Sequence, residues 1–312
     1  MSAFVVVNPR SAGGRTAREW PAIERALRSV YPAMTAAFTR ARGEAISLVR
    51  EALREGHDEI VAVGGDGTIS EAMNGFFDER GTIAPDAVFS FATSGTGGDF
   101  RKSFGIEAGA VEAVSQLKTA NVRPIDVGRI SCLSDAGAAT VRYFINIASF
   151  GLSGMIVASV NRARISKLFG GRFAFAFHSA VGALAYRDQA VRIHADGGLD
   201  RIARISTVAI ANGQYFGGGM RIAPEARPDD GLFDLVILGG GPRREMLANM
   251  KLLYTGEHTR LPNVQVARAR KIVAAPVAET GGKPVFIEAD GENVGRLPAT
   301  FEILPGGLNL RC

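Results

Sequence analysis

Glu59-Ile60-Val61-Ala62-Val63-Gly64-Gly65-Asp66-Gly67-Thr68-Ile69 carries a short, apolar, β-branched run through glycines into a segment whose Ile69, Ala72, Met73 and Phe76 fall at i, i+3, i+4 and i+7. The first part has the make-up of a central parallel strand buried on both faces. The second has the spacing of one apolar helix face. A strand that turns directly into a helix aims unpaired backbone N–H groups outward at the positive end of the helix dipole, where phosphate oxygens are held. Asp66 adds a carboxylate to the same turn. Beside phosphate that carboxylate is repulsive unless a divalent cation lies between them or it accepts a proton, which points to Mg²⁺-assisted phosphoryl chemistry. Gly64-Gly65-Asp66-Gly67 alone is equally a tight βα turn with an acid near a helix start, so the rest of the chain must decide.

Two further turns of this kind flank it. Phe4 to Val7 reads as a strand, followed by Asn8-Pro9-Arg10-Ser11-Ala12-Gly13-Gly14-Arg15 and a helix with Trp20, Ile23, Leu27 and Val30 on one face. Val88 to Ala92 reads as another strand, and Thr93-Ser94-Gly95-Thr96-Gly97-Gly98-Asp99-Phe100 then leads into Arg101 and Lys102. Three glycine turns after three parallel strands share the carboxyl edge of one sheet, where open α/β sheets bind ligands.

Strands and helices alternate to about residue 120, which predicts a parallel, helix-covered sheet. From Val122 the pattern changes: Val141, Tyr143, Ile145 and Ile147 alternate with other residues, and strand-like runs follow at Ala190–Ile193, Ile202–Ala211, Leu232–Leu238, Ile272–Ala275, Val285–Glu288 and Thr300–Leu304. These predict a mainly antiparallel second domain. Helical insertions are expected around Met155–Ser179 and Arg243–Tyr254. The expected division is 1–125 for an α/β domain and 126–304 for a β-rich one, with the last residues, about 305–312, packing back on the first. Phe173, Phe175 and Phe177 fit either an apolar helix face or the lining of an acyl-chain cleft.

At 312 residues, 46% hydrophobic and 21% charged, the chain can bury two cores and is not disordered. A net charge of +5 favours anionic partners, an acidic membrane surface among them. No basic stripe interleaved with aromatics and no recognition motif is present, so nucleic acid is not expected as a partner. Cys132 and Cys312 are far apart and make no disulfide framework or zinc spacing. With no basic leader before Phe4 and no apolar stretch of spanning length, the expectation is a cytoplasmic protein with peripheral membrane contact. A homodimer is left open.

The motifs Asn8-Pro9, Ser11, Gly13-Gly14, then Gly64 to Thr68, then Gly95-Thr96 with Asp99-Phe100, resemble in order those of the diacylglycerol kinase catalytic domain family, bacterial lipid kinases related to sphingosine and ceramide kinases. The resemblance continues through Asn212-Gly213, Tyr215 to Met220, Pro224-Glu225-Ala226, Asp229 to Asp234 and Asp290-Gly291-Glu292, and so covers nearly the whole chain. It implies an NAD-kinase-like α/β domain followed by a β-sandwich, with the active site between them. It implies ATP as phosphoryl donor and Mg²⁺ as cofactor, with Asn8, Thr39, Gly64, Gly65, Asp66, Gly67, Thr68 and Thr96 toward the nucleotide. Glu292 would be the proton acceptor, with Asp66 as its catalytic companion. Asp230, with the carbonyls of Arg227 and Leu232, would hold a structural Mg²⁺. Each has a plainer explanation: Thr39 as a strand-end β-former, Glu292 as a turn residue, Asp230-Gly231 as a hairpin turn. The family's Asn before Asp99-Phe100 is Gly98 here, so an amide contact is missing. The implied reaction is transfer of the γ-phosphoryl group of ATP to a hydroxyl of a membrane lipid, diacylglycerol or a relative. Its rivals are a soluble-substrate kinase of the superfamily, such as NAD kinase, and a non-catalytic nucleotide or lipid binder.

Overall fold

The structure is a computed structural model and describes residues 2–93, 98–162, 186–241, 243–277 and 284–312. The chain forms two compact units, Met1–Val127 with Pro305–Cys312, and Gly128–Leu304.

In the first unit β1 (Ala3–Val7) leads to α1 (Ser11–Val30), β2 (Met34–Phe38), α2 (Glu44–Arg54), β3 (Glu59–Gly64) and α3 (Asp66–Asn74). A small hairpin of β4 (Phe77–Asp78) and β5 (Gly81–Thr82) precedes β6 (Val88–Thr93), α4 (Asp99–Ser103) and α5 (Ala110–Gln116). β1 pairs in parallel with β2 and β3, and β3 with β6. Every residue of β1 and β3 is buried, as strands covered on both faces require, and all are apolar but Glu59 at the start of β3. Ile69, Ala72, Met73 and Phe76 are buried beneath this sheet together with Phe89 and Phe91. In α1, Ala12, Gly13 and Gly14 have φ of 50°, 67° and 81°. The glycine turn therefore extends to Gly14, and the regular helix begins beyond it.

β7 (Val122–Leu133) starts in the first unit. The second contains β8 (Ala139–Phe144), β9 (Ile147–Gly151), α6 (Leu152–Arg162), β10 (Gln189–Ala195), β11 (Leu199–Ala211), β12 (Phe233–Gly239), α7 (Arg243–Thr255), β13 (Val264–Ala269), β14 (Lys271–Pro276) and β15 (Phe286–Ala289). β16 (Glu292–Arg311) begins in it and ends in the first. The β8 to β15 pairings are antiparallel. Their inward side chains build one core around Phe144, Phe150, Phe233 and Phe301, with Phe144 stacked on Phe233 at 5.5 Å between ring centroids.

Differences from the sequence reading have local causes. β16 was expected over Thr300–Leu304 alone, because Gly295, Pro298, Pro305 and Gly306 read as punctuation. It runs much longer because successive stretches find different partners: β15, then β14, then β6 in parallel through Asn309 and Leu310. The expected alternation reached only Ile147, the first residue of β9, and β13 was not expected as a strand. β13 alternates half-buried and exposed residues and lies at the end of its sheet path, where the hydrophobic signal is weak. α6 occupies the first part of the 155–179 insertion. Phe173, Phe175 and Phe177 lie outside the described residues.

Candidate active site

The register of the first unit places the ends of β2, β1, β3 and β6 side by side: Phe38 opposite Val7, Val7 opposite Val63, and Gly64 opposite Thr93. Asn8, Thr39 and the 64–68 turn therefore share one sheet edge. Asn8 is held there by its N–H donating to the Val63 carbonyl at 2.9 Å, and Thr39 by its N–H donating to the Val7 carbonyl at 2.8 Å. Asn8 Nδ2 donates to Thr68 Oγ1 at 3.0 Å, tying the first glycine turn to the second. Thr68 is buried, and a Cβ on Gly64 would lie 2.6 Å from its hydroxyl, so no side chain fits at that residue. The first N–H groups of α3, from Asp66 and Gly67, have no acceptor inside their own helix. Thr96 lies outside the described residues.

Asp66 keeps accessible surface, but its carboxyl sits among crowding atoms. Desolvation raises its pKa, the Gly98 N–H opposes, Asp99 raises it further, and Lys102 and Arg101 lower it. Gly98 N–H donates to Asp66 Oδ2 at 3.0 Å, in a left-handed conformation of φ 72°. Glycine at this position thus contacts Asp66 through its backbone alone. Lys102 is drawn to Asp99 at 2.7 Å rather than left to solvent.

In the second unit, Asp290-Gly291-Glu292 joins β15 to β16. Asp290 has φ 49° and Gly291 φ 82°, a left-handed pair. Asp290 Oδ2 accepts the Ile145 N–H at 3.0 Å, and its Oδ1 accepts those of Asn146 and Ile147 at 3.1 Å each. The Asn212-Gly213 motif meets the same segment. Both of its N–H groups donate to the Asn146 carbonyl at 2.9 Å, and Asn212 Nδ2 donates to the Ile145 carbonyl at 2.8 Å. Asn146 Nδ2 reaches the Tyr215 carbonyl at 2.8 Å. Motifs nearly eighty residues apart thus converge on Ile145–Ile147, which the sequence reading took only as part of a strand-like alternation because nothing local marks its backbone N–H groups as partners of Asp290. Glu288 and Ser149 were missed for the same reason.

Arg227, Asp230 and Leu232 lie in a separate turn before β12. Leu232 N–H donates to Asp230 Oδ1 at 3.1 Å, and Arg268 of β13 forms an ion pair with Oδ2. Arg268 Nε also stands 3.7 Å from buried Asp234, whose Oδ2 has no hydrogen-bond partner and whose pKa burial pushes up to about 6. Among the described residues no group of three or more His, Cys, Asp or Glu side chains is arranged to hold a metal. No helix among them is long and apolar enough to cross a membrane.

Two domain families match the chain in succession. Residues 2–130 match the diacylglycerol kinase catalytic domain, and residues 146–312, more than half of the chain, match the YegS C-terminal NAD kinase beta sandwich-like domain. The chain belongs to the diacylglycerol kinase family that these domains define, and is a kinase transferring phosphate to an alcohol. It is 26% identical over 268 residues to the diacylglycerol kinase of Mycobacterium tuberculosis, covering 86% of this chain and 81% of that one. To a Staphylococcus aureus diacylglycerol kinase it is 27% identical over 302 residues, covering 96% and 88%. A crystal structure of a diacylglycerol kinase from Bacillus anthracis shares the fold, with a TM-score of 0.71 at 19% identity over 99% of this chain and 96% of that one.

Proposed function

We propose that this kinase transfers the γ-phosphoryl group of ATP to a hydroxyl of a membrane lipid, diacylglycerol or a related glycerolipid. The observation that carries the reading is the joint presence, in family order, of the glycine turns at one sheet edge and the Asp290-Gly291-Glu292 turn, in a chain whose N-terminal part matches the diacylglycerol kinase catalytic domain. Phosphoryl transfer asks a protein mainly to position the γ-phosphate, neutralise its charge and orient the attacking hydroxyl.

The first unit is assigned to the nucleotide. The N–H groups opening α3 suit phosphate oxygens, and Asn8, Thr39, Thr68 and Thr96 suit the ribose and phosphate periphery. Asp66 fits Mg²⁺: one carboxylate oxygen is engaged by Gly98, and among the described residues no hydrogen bond engages the other, in surroundings that disfavour a bare charge. When bound there, Mg²⁺ would offset phosphate charge. The second unit is assigned to the lipid, with Glu292 taking the proton of the attacking hydroxyl.

The residues around Asp230 do not fit a second Mg²⁺ as they stand, because Leu232 N–H and Arg268 already engage both carboxylate oxygens. A structural ion there, with the carbonyls of Arg227 and Leu232, is proposed only as a state in which Arg268 gives way, and no step is derived through it. Its test is a Mg²⁺-dependent rise in melting temperature that Asp230→Ala removes.

The basic charge supports reversible docking on anionic membrane from the cytoplasmic side. The reaction is tested with γ-labelled ATP against a lipid panel in mixed micelles that includes diacylglycerol and sphingosine, with NAD alongside. Label in a glycerolipid supports the reading, and label in NAD alone would replace it with the soluble-substrate alternative.

A further inference from the structure

Glu288 is a carboxyl that none of the family motifs explains. It sits in β15 two residues before Asp290, is 4% exposed, and has no cation paired with it among the described residues. Its Oε2 accepts the Gly291 N–H at 3.1 Å, and its Oε1 is hydrogen-bonded to the hydroxyl of Ser149. Ser149, fully buried in β9, is hydrogen-bonded in turn to Ser153 Oγ at 2.7 Å. Ser153 belongs to the first turn of α6, which packs so closely on β15 that a Cβ on Gly154 would lie 2.0 Å from the Phe286 carbonyl. One carboxyl therefore links a strand, a helix and the turn that leads to Glu292.

Keeping that carboxyl buried is costly, since a polar group withdrawn from water loses hydration that its hydrogen bonds only partly replace. Its pKa is pushed up to about 7, chiefly by burial, with Asp290 adding and the bonds from Ser149 and Gly291 opposing. Glu288 stands across from Ser149 on the sheet face opposite Ile287 and Phe150, and is buried there all the same. What the carboxyl supplies is the second fastening of a left-handed turn. Asp290 is fixed by three N–H groups of residues 145–147, and Gly291 is fixed by Glu288.

We infer that Glu288 is a positioning residue: through the Gly291 N–H, and braced by Ser149 and Ser153, it fixes the turn from which Glu292 enters β16. The inference rests on the reading of Glu292 as proton acceptor. A displacement on the order of 1 Å at a reacting group can cost about a hundredfold in rate. Loss of Glu288 should therefore appear in turnover and not in nucleotide binding.

The test compares Glu288→Ala, Glu288→Gln, Ser149→Ala and Glu292→Gln in the full chain, with kcat and the KM for ATP measured on the lipid that the panel identifies and melting temperature measured in parallel. Glu288→Ala should lower kcat per folded enzyme by about 10- to 100-fold with the KM for ATP within about twofold. Glu288→Gln keeps an acceptor for Gly291 and a partner for Ser149, and should recover at least about tenfold of that loss. Ser149→Ala should cost about threefold or more, and stands in if Glu288→Ala does not fold. The inference is overturned if kcat per folded enzyme is unchanged in Glu288→Ala or, failing that variant, in Ser149→Ala. It is also overturned if Glu288→Gln, folded, is as slow as Glu288→Ala. Unaltered turnover in Glu292→Gln would instead remove the proton-acceptor reading itself, so the two failures are distinct.

Discussion

Arg311→Ala should destabilise the first unit more than any surface substitution of comparable size, although it changes the second residue from the C-terminus. Arg311 donates from Nε and Nη2 to the two oxygens of Glu59 at 2.9 and 2.8 Å. Glu59 side-chain exposure is 2% and that of Arg311 15%. Glu59 Oε1 also accepts the Tyr31 hydroxyl at 2.7 Å and the Ser90 hydroxyl at 3.3 Å. Removing the arginine leaves a buried carboxylate with two neutral donors, and breaking such a pair costs about 3–5 kcal/mol. The slight exposure of Arg311 puts the expectation at the lower end, about 3 kcal/mol. With a urea dependence of about 2 kcal/mol per molar for a unit of this size, the unfolding midpoint should fall by about 1.5 M. Trp20 is the single tryptophan of the chain and packs edge-on against Phe38 at 5.2 Å, so its fluorescence reports the first unit alone. Glu59→Ala added to Arg311→Ala removes the stranded charge and should recover part of the loss, which a double-mutant cycle measures. A midpoint shift below about 0.3 M in Arg311→Ala would refute the claim that the bidentate pair holds the end of β16 to β3.

Asp66→Asn should reduce phosphoryl transfer by about a hundredfold or more with an unchanged Trp20 unfolding curve, and near-normal turnover would remove Asp66 from the mechanism. Glu292→Gln keeps size and hydrogen bonding but cannot take a proton, so turnover should drop by at least about a hundredfold while ATP affinity, measured calorimetrically, changes little. Glu288 titrates near 7 when folded against an ordinary 4.5, so between those values the unfolded chain releases its proton first and wild-type stability falls as pH rises. The penalty reaches roughly 3 kcal/mol above pH 7, and Glu288→Gln, which lacks it, should gain stability over wild type from pH 5 to 8 in circular-dichroism unfolding. A difference that stays flat over that range would contradict the buried titration. Co-sedimentation with anionic vesicles at low salt should decline as salt is added, and absence of binding at low salt would count against membrane docking.

Residues 59–69 determined a great deal unaided, because strand, glycine turn and helix are local consequences of side-chain period and of which residues tolerate a tight turn. The same holds for the glycine turn after β1, for the change to strand-like runs beyond residue 122, and for the family order of the motifs. Spans built on distant partners could not be read in this way. β16 crosses glycines and prolines that signal a break, and is one strand because β15, β14 and β6 pair with it in succession. The polar contacts that fasten the candidate site depend on the same long-range pairing. Asp290 is satisfied by N–H groups 143 to 145 residues earlier, Glu288 by Ser149, Asp230 by Arg268, and Glu59 by Arg311 across 252 residues. In sequence each of these side chains is only an acid, a serine or an arginine. Its role follows from burial, which makes an unpartnered polar group costly and so selects the partner that the fold brings within reach.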